Sequence, residues 1–324
     1  MNRATDLLLT GLAPAIWGST YVVTTGLLPD GYPLTVAMLR ALPAGLLLLL
    51  WVRQLPQRGW WLRVFVLGAL NFSVFQAMLF VAAYRLPGGV AATLGAVQPL
   101  IVILFSRLLL GNAIRPVAVV AAIGGMAGVA LLVLTPKAAL DTAGVTAGLL
   151  GAASMALGTV LTRRWQPPVS ALTFTAWQLV AGGILLLPVA LWYEPPLGPL
   201  TQANVLGFLY LGLVGTALTY VLWFRGIARL GPPAVASLGF LSPVSAVLLG
   251  WGLLDQWLSA PQLAGMVLVL VSMWLSQRGA AVRTGAPAME QAPSSPPSPP
   301  SPPLAASTRS PSSASSPSPD SPRA

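Results

Sequence analysis

Ala92-Thr93-Leu94-Gly95-Ala96-Val97-Gln98-Pro99 returns 144 residues later as Ala236-Ser237-Leu238-Gly239-Phe240-Leu241-Ser242-Pro243. The same gapless offset over residues 67–112 pairs Leu67 with Leu211, Gly68 with Gly212, Phe80 with Phe224 and Arg85 with Arg229, a dozen identities in 46 positions. A leucine-rich chain yields some matches by chance, so the Gly, Pro, Phe and Arg pairs carry the weight. The chain contains its own duplicate, and the surroundings of these two stretches say what the duplicated unit is.

Those surroundings are apolar. Of 324 residues, 56% are hydrophobic and only 7% charged, against about 25% charged in soluble domains. So few charges cannot build a water-facing shell, and the chain reads as an integral membrane protein. A bilayer core of about 30 Å needs roughly 20 apolar residues per helix. Windows of that kind lie near residues 7–28, 34–52, 62–83, 89–110, 116–135, 143–162, 170–192, 204–224, 233–254 and 261–277. Short connectors with breakers, such as Pro87-Gly88-Gly89 and Pro167-Pro168, make successive helices antiparallel. The first window is too long for a secretion signal and is expected to stay in the membrane.

Windows three and four match windows eight and nine, so the repeated unit has five helices. Five is odd, and the second unit then enters the membrane from the opposite face, the inverted repeat typical of alternating-access transporters. The expected architecture is an all-α membrane protein of ten transmembrane helices. Residues 1–137 form the first five-helix repeat, residues 138–283 the second, and residues 284–324 a disordered Pro/Ser-rich cytoplasmic tail.

Charge placement sets the orientation. The N-terminus and the even-numbered gaps hold twelve cations: Arg3, Arg53, Arg58, Arg63, Arg107, Arg115, Arg163, Arg164, Arg225, Arg229, Arg278 and Arg283. The odd-numbered gaps hold Arg85 and Lys137. The positive-inside rule then puts both termini in the cytoplasm. Trp51, Trp60, Trp61, Trp165, Trp192, Tyr193 and Trp257 lie near segment ends, as an interfacial belt requires. The net charge of +10 is thus a topology signal, with no call for nucleic acid.

The chain has no Cys and no His, which excludes disulfides, thiol nucleophiles, imidazole bases and the usual zinc or haem ligands. No metal or cofactor is expected. An intramembrane enzyme would need paired carboxylates or a metal set within its helices, and none is read there. No Asp or Glu is read deep in a helix, so proton coupling would fall on Asp30, Glu194 or Asp255, or on the substrate, or else transport is facilitative.

Ala15-Ile16-Trp17-Gly18-Ser19-Thr20-Tyr21, Met38-Leu39-Arg40-Ala41 and Leu241-Ser242-Pro243 resemble the signatures of the EamA branch of the drug/metabolite transporter superfamily. The stretch Leu12–Thr25 with Arg40-Ala41-Leu42-Pro43-Ala44-Gly45 most resembles the PecM-type branch, proposed blue-pigment exporters. The resemblance covers roughly residues 5–278. It implies a multi-pass protein of the bacterial inner membrane, exporting small amino-acid-like or aromatic metabolites. Its transport path would run between the halves, lined by helices one to four and six to nine. The family's Gly-Glu pair at the ends of helices four and nine is replaced here by Gly111-Asn112 and Asp255-Gln256, which puts any role of that Glu in doubt.

Within that frame, polar groups inside apolar runs are the candidates, because burying them in lipid is costly. Arg40 lies roughly 10 Å along the second helix at 1.5 Å per residue, where a cation costs about 2.5–3.5 kcal/mol. It either faces the path and binds a substrate anion, or snorkels or pairs with Asp30 or a backbone carbonyl. Gln178 occupies the matching place in the second half, to bind substrate or to tie helices together. Trp17, Tyr21, Trp177 and Tyr220 offer surface for a flat ligand or for ordinary packing. Gln76 and Tyr220 are equivalent by the offset of 144 and are read as lining groups. Pro99 and Pro243 are hinges or static bends inside helices. Two other readings stand beside export. A flippase for lipid- or nucleotide-linked substrates needs more cations than Arg40 alone; the other is a non-transporting membrane partner or sensor. The expected partners are a small metabolite and the bilayer, and a homodimer is compatible with such a chain.

Overall fold

The computed structural model describes residues 2–29, 31–86, 93–133, 141–253 and 259–281. Among them are ten helices long and apolar enough to cross a membrane, and no strand. They are α1 (Arg3–Thr24), α2 (Pro33–Val52), α3 (Trp61–Leu79), α4 (Thr93–Leu110), α5 (Pro116–Val133), α6 (Thr142–Arg164), α7 (Ala171–Tyr193), α8 (Gln202–Leu230), α9 (Pro232–Gly252) and α10 (Ala260–Arg278). The fold is all-α, as the hydropathy windows require. Asp255 and the Pro/Ser-rich stretch from 284 onward lie outside the described residues, as does Asp30.

Local chemistry fixes the helix starts. Asn2, Asp141, Ser170 and Thr201 each accept a hydrogen bond from a backbone amide of the first turn that follows. Pro33 opens α2, where a missing N–H is harmless. Large apolar side chains such as Leu8, Leu62, Leu108 and Leu191 point away from the bundle, as a surface against acyl chains must.

Helix α2 packs along α7, and α5 along α10. The contact of α3 with α6 is matched by that of α8 with α1, and the contact of α4 with α6 by that of α9 with α1. Exchanging each helix for the one five places away turns one pairing into the other. The α2–α7 crossing is close: a Cβ on Gly45 would lie 2.7 Å from the Val180 amide nitrogen, and one on Gly183 would lie 2.6 Å from Leu42 Cβ. Small residues permit such approach.

The connections sort to two ends of the bundle. At one end the Arg3 guanidinium donates to the Gln277 carbonyl, Arg163 donates to the Ala228 carbonyl, and Asp6 pairs with Arg225 and Arg229. At the other, the Asn204 amide donates to the Leu27 carbonyl and Arg85 pairs with Asp141. Asp6 is a departure from expectation. It lies inside the first helix and is only 7% exposed, because two arginines of α8 neutralise it there.

Several helices are irregular where hydropathy alone predicts smooth spans. α1 breaks at Gly18-Ser19, α4 at Ala96-Val97 and α9 at Gly239-Phe240. α3 and α8 each contain a π-helical stretch, Ala69–Ser73 and Tyr210–Leu218. The offset of 144 carries residues 69–73 onto 213–217, inside the second stretch. Both halves therefore widen at the same place, a feature often found at functional sites. Pro99 and Pro243 sit just after their breaks, in the first turn of a helical piece resuming at Gln98 and at Leu241. Their missing N–H groups are therefore harmless, and the interruption precedes each proline rather than following from a kink at it.

Candidate functional site

The π-helical stretch of α8 aims one carbonyl at three donors. Gly215 O accepts from Thr219 Oγ1 at 2.8 Å, from Trp17 Nε1 at 3.1 Å and from Arg40 Nη2 at 3.1 Å. Arg40 Nε also donates to Thr216 Oγ1 at 3.0 Å, and Trp17 Nε1 to Thr219 Oγ1 at 2.9 Å. Arg40 is 8% exposed, and Thr216 and Thr219 are fully buried. These partners are neutral. Among the described residues no carboxylate forms an ion pair with Arg40.

Aromatic rings wall this centre. Trp17 lies 5.0 Å from Tyr220 and 5.0 Å from Trp223, centroid to centroid, and Tyr220 lies 4.5 Å from Phe72. All three pairings are tilted rather than stacked, and Trp17 packs against a buried cluster that holds the other three rings with Phe224 and Ile227. Arg40, Trp17 and Tyr220 are thus brought together. Phe72, Gly215, Thr216 and Thr219 join them, although the sequence singled out none of these. The available signal was the offset of 144, which sets Gly215 opposite the polar Asn71.

Gln178 builds a second, separate centre. Asn71 Nδ2 donates to Gln178 Oε1 at 2.8 Å and to Thr162 Oγ1 at 3.2 Å. All three residues are buried. Asn71 belongs to the π-helical stretch of α3. Around it, Ser73 Oγ donates to the Gly182 carbonyl and Ser154 Oγ to the Leu70 carbonyl, both at 2.8 Å. Every group in this network is neutral.

The remaining candidates disperse. Trp177 donates through Nε1 to the Gln54 carbonyl at 2.6 Å and packs with Val64, Leu67 and Phe174 in a different cluster from Tyr220 and Trp223. Gln76 is 2% exposed, one helical turn beyond the π-helical stretch of α3. The backbone of Tyr21 lies in α1, and its side chain is outside the described residues. Glu194 accepts from the Leu34 and Thr35 amides at 2.6 and 2.7 Å, capping the start of α2. That carboxylate also lines a cleft of about 380 Å³, together with Gly31, Pro33, Ala77, Val81, Arg85 and Tyr193. Among the described residues no three His, Cys, Asp or Glu side chains gather as a metal set.

Each polar centre joins a helix of one half to a helix of the other, and the family model for the EamA-like transporter family matches both halves, over residues 5–134 and 142–277. The chain belongs to the EamA-like transporter family. It is 49% identical to Protein PecM of Dickeya dadantii (strain 3937), over 82% of this chain and 90% of that protein, which supports the PecM-like branch. It is 30% identical to the uncharacterized inner membrane transporter YedA of Escherichia coli (strain K12), over 82% of this chain and 88% of that one. A solved crystal structure, 21% identical, superposes with a TM-score of 0.74 over 86% of this chain and 100% of its own, and so shares the fold. As an EamA-like transporter the chain is a multi-pass membrane protein that moves a small molecule across the bilayer, not an enzyme.

Proposed function

We propose that this EamA-like transporter exports small metabolites carrying a carboxylate, of amino-acid-like or aromatic character, across a bacterial inner membrane by alternating access. Residues 1–137 and 138–283 act as two inverted five-helix repeats, with both termini in the cytoplasm. The twelve-to-two distribution of cations supports that orientation. The matched helix pairings support rocking of one half against the other.

One observation carries the site assignment: Arg40 is buried against neutral acceptors, so its charge is solvated by a carbonyl and a hydroxyl rather than cancelled. A carboxylate entering the site would offer the guanidinium a charged, bidentate acceptor in place of the neutral carbonyl and hydroxyl. Trp17, Tyr220 and Phe72 then supply apolar surface for a flat body. Tyr21 and Gln76 complete the candidate lining. Gln178 acts through Asn71 as a tie between α7 and α3, and Pro99 and Pro243 mark the pieces that rotate at the helix breaks. Asp30, Glu194 and Asp255 are the candidates for coupling, and Glu194 does so only by releasing the start of α2.

The test is efflux from loaded vesicles containing the parent chain or Arg40→Ala, with each carboxylate-bearing substrate compared with its neutral amide. Loss confined to the carboxylates supports the assignment. Equal transport of every carboxylate by both proteins removes it.

A further inference from the structure

The offset of 144 pairs Arg85 with Arg229, and each of these two arginines enters an ion bridge, at opposite ends of the bundle, although the offset carries Asp6 onto Leu150 rather than onto an acid. Arg229, on α8, reaches Asp6 of α1 at 3.5 Å, and Arg225 reaches the same carboxylate at 2.6 Å. Arg85, at the end of the helix that continues α3, reaches Asp141 at the start of α6 at 3.6 Å. Each bridge joins the first half to the second, and each ties the third helix of one half to the first helix of the other.

Their environments differ in one direction. The Asp6 and Arg225 side chains are 10% and 19% exposed, with Arg229 a second, half-exposed arm at 49%, whereas Arg85 and Asp141 are 55% and 42% exposed. Beneath Asp6 the two helices approach closely: a Cβ on Gly226 would come within 2.3 Å of Thr10, whose Oγ1 donates back to the Asp6 carbonyl of its own helix. At the other end Asp141 Oδ2 is also engaged as a helix cap by the Gly144 amide, and Arg85 borders the cleft of about 380 Å³. One bridge is sheltered and doubly held. Its counterpart is singly held and wet, at the edge of open space.

We infer that Asp6–Arg225/Arg229 and Arg85–Asp141 are the paired gates of the transport cycle, the first locked and the second loosened in this conformation. A buried carboxylate shared by two guanidiniums resists separation because parting leaves charges in a low-dielectric interior. An exposed single bridge is screened by water and separates readily. Rocking the halves exchanges these conditions, so that the Arg85 bridge tightens as the Asp6 bridge opens. The inference rests on the alternating-access reading, but not on what Arg40 binds.

Because the chain contains no cysteine, two single substitutions read the ends independently: Thr10→Cys beneath Asp6, and Ala77→Cys in the cleft. In nanodiscs both ends face a water-soluble maleimide. Asp6→Asn is expected to raise labelling at Thr10→Cys and lower it at Ala77→Cys, by about threefold or more as the two-state population shifts. Asp141→Asn, in the exposed bridge, is expected to act in reverse. Both cysteines responding in the same direction, or neither responding to either variant, overturns the gate assignment. If Asp6→Asn fails to fold, Asp141→Asn decides alone, and unchanged labelling at Ala77→Cys rejects the proposal. The labelling is done without substrate, so its failure leaves the Arg40 assignment standing.

Discussion

The α2–α8 junction and the α7–α3 junction are built alike and filled differently. In each, the second helix of one half presents a polar side chain to the π-helical stretch on the third helix of the other half. At α7–α3 the pair is Gln178 and Asn71, amide against amide. At α2–α8 it is Arg40 against Gly215 and Thr216. The offset sets Asn71 opposite Gly215: where one half offers an amide side chain, the other offers a bare carbonyl and leaves room for a guanidinium. The neutral junction shows that this fold closes such a contact without a charge. A cation at that depth costs about 2.5–3.5 kcal/mol, so helix packing alone gives no reason for Arg40. On the proposed reading, the difference between the junctions separates a contact that holds the bundle from one that faces a ligand.

Forcing the neutral junction to resemble the charged one should produce the largest effect. Gln178→Arg puts an uncompensated cation beside Asn71, where a Cβ on Gly158 would already lie 2.1 Å from Asn71 Oδ1. We expect a loss of stability of about 3–5 kcal/mol, seen as a collapse of the thermal unfolding midpoint in detergent. A variant as stable as the parent would show that the two junctions are interchangeable. Asn71→Ala removes both bonds to Gln178 and Thr162 and leaves Gln178 Oε1 with only the long 3.5 Å bond from Thr162 Oγ1, for an expected loss of about 1–3 kcal/mol. Its ratio of carboxylate to neutral transport should match the parent's, and a changed ratio would give Asn71 a share in ligand selection. Trp17→Phe keeps the ring but loses the indole donor to Gly215 O and Thr219 Oγ1. The expected cost is about 1 kcal/mol, read as a several-fold weaker binding of aromatic carboxylates, with the unfolding midpoint within a few degrees of the parent's.

The sequence carries the helix count, the duplication and the two polar side chains that anchor the comparison. Arg40 and Gln178 stand out because a polar residue interrupts an apolar run. The groups they touch do not stand out. Gly215 acts through its carbonyl, which every residue possesses, and only the π-helical backbone turns that carbonyl toward Arg40. Trp17 and Trp177 look alike in sequence, each an indole in an apolar helix, and only neighbours far along the chain place one beside Arg40 and the other against Gln54. The hydropathy window for α1 begins after Asp6, since a carboxylate lowers the average. The helix nevertheless starts at Arg3, because Arg225 and Arg229 lie more than 200 positions away in sequence yet adjacent in space. Pairings at that separation are set by tertiary packing, which periodicity does not encode.

Direct binding to purified protein tests the central claim, that the charge of Arg40 is kept for a ligand. Isothermal titration calorimetry supplies the signal, since eleven tryptophans spread along the chain would all contribute to intrinsic fluorescence. A planar aromatic carboxylate and its uncharged amide are titrated against the parent, Arg40→Gln and Gln178→Leu. Arg40→Gln should stay folded and weaken carboxylate binding by about 100-fold, the loss of a charge-assisted hydrogen bond, while amide binding changes little. Gln178→Leu should leave the preference for the carboxylate intact. Undiminished carboxylate affinity in a folded Arg40→Gln protein would contradict that claim and return Arg40 to the role that Gln178 plays, a tie between helices.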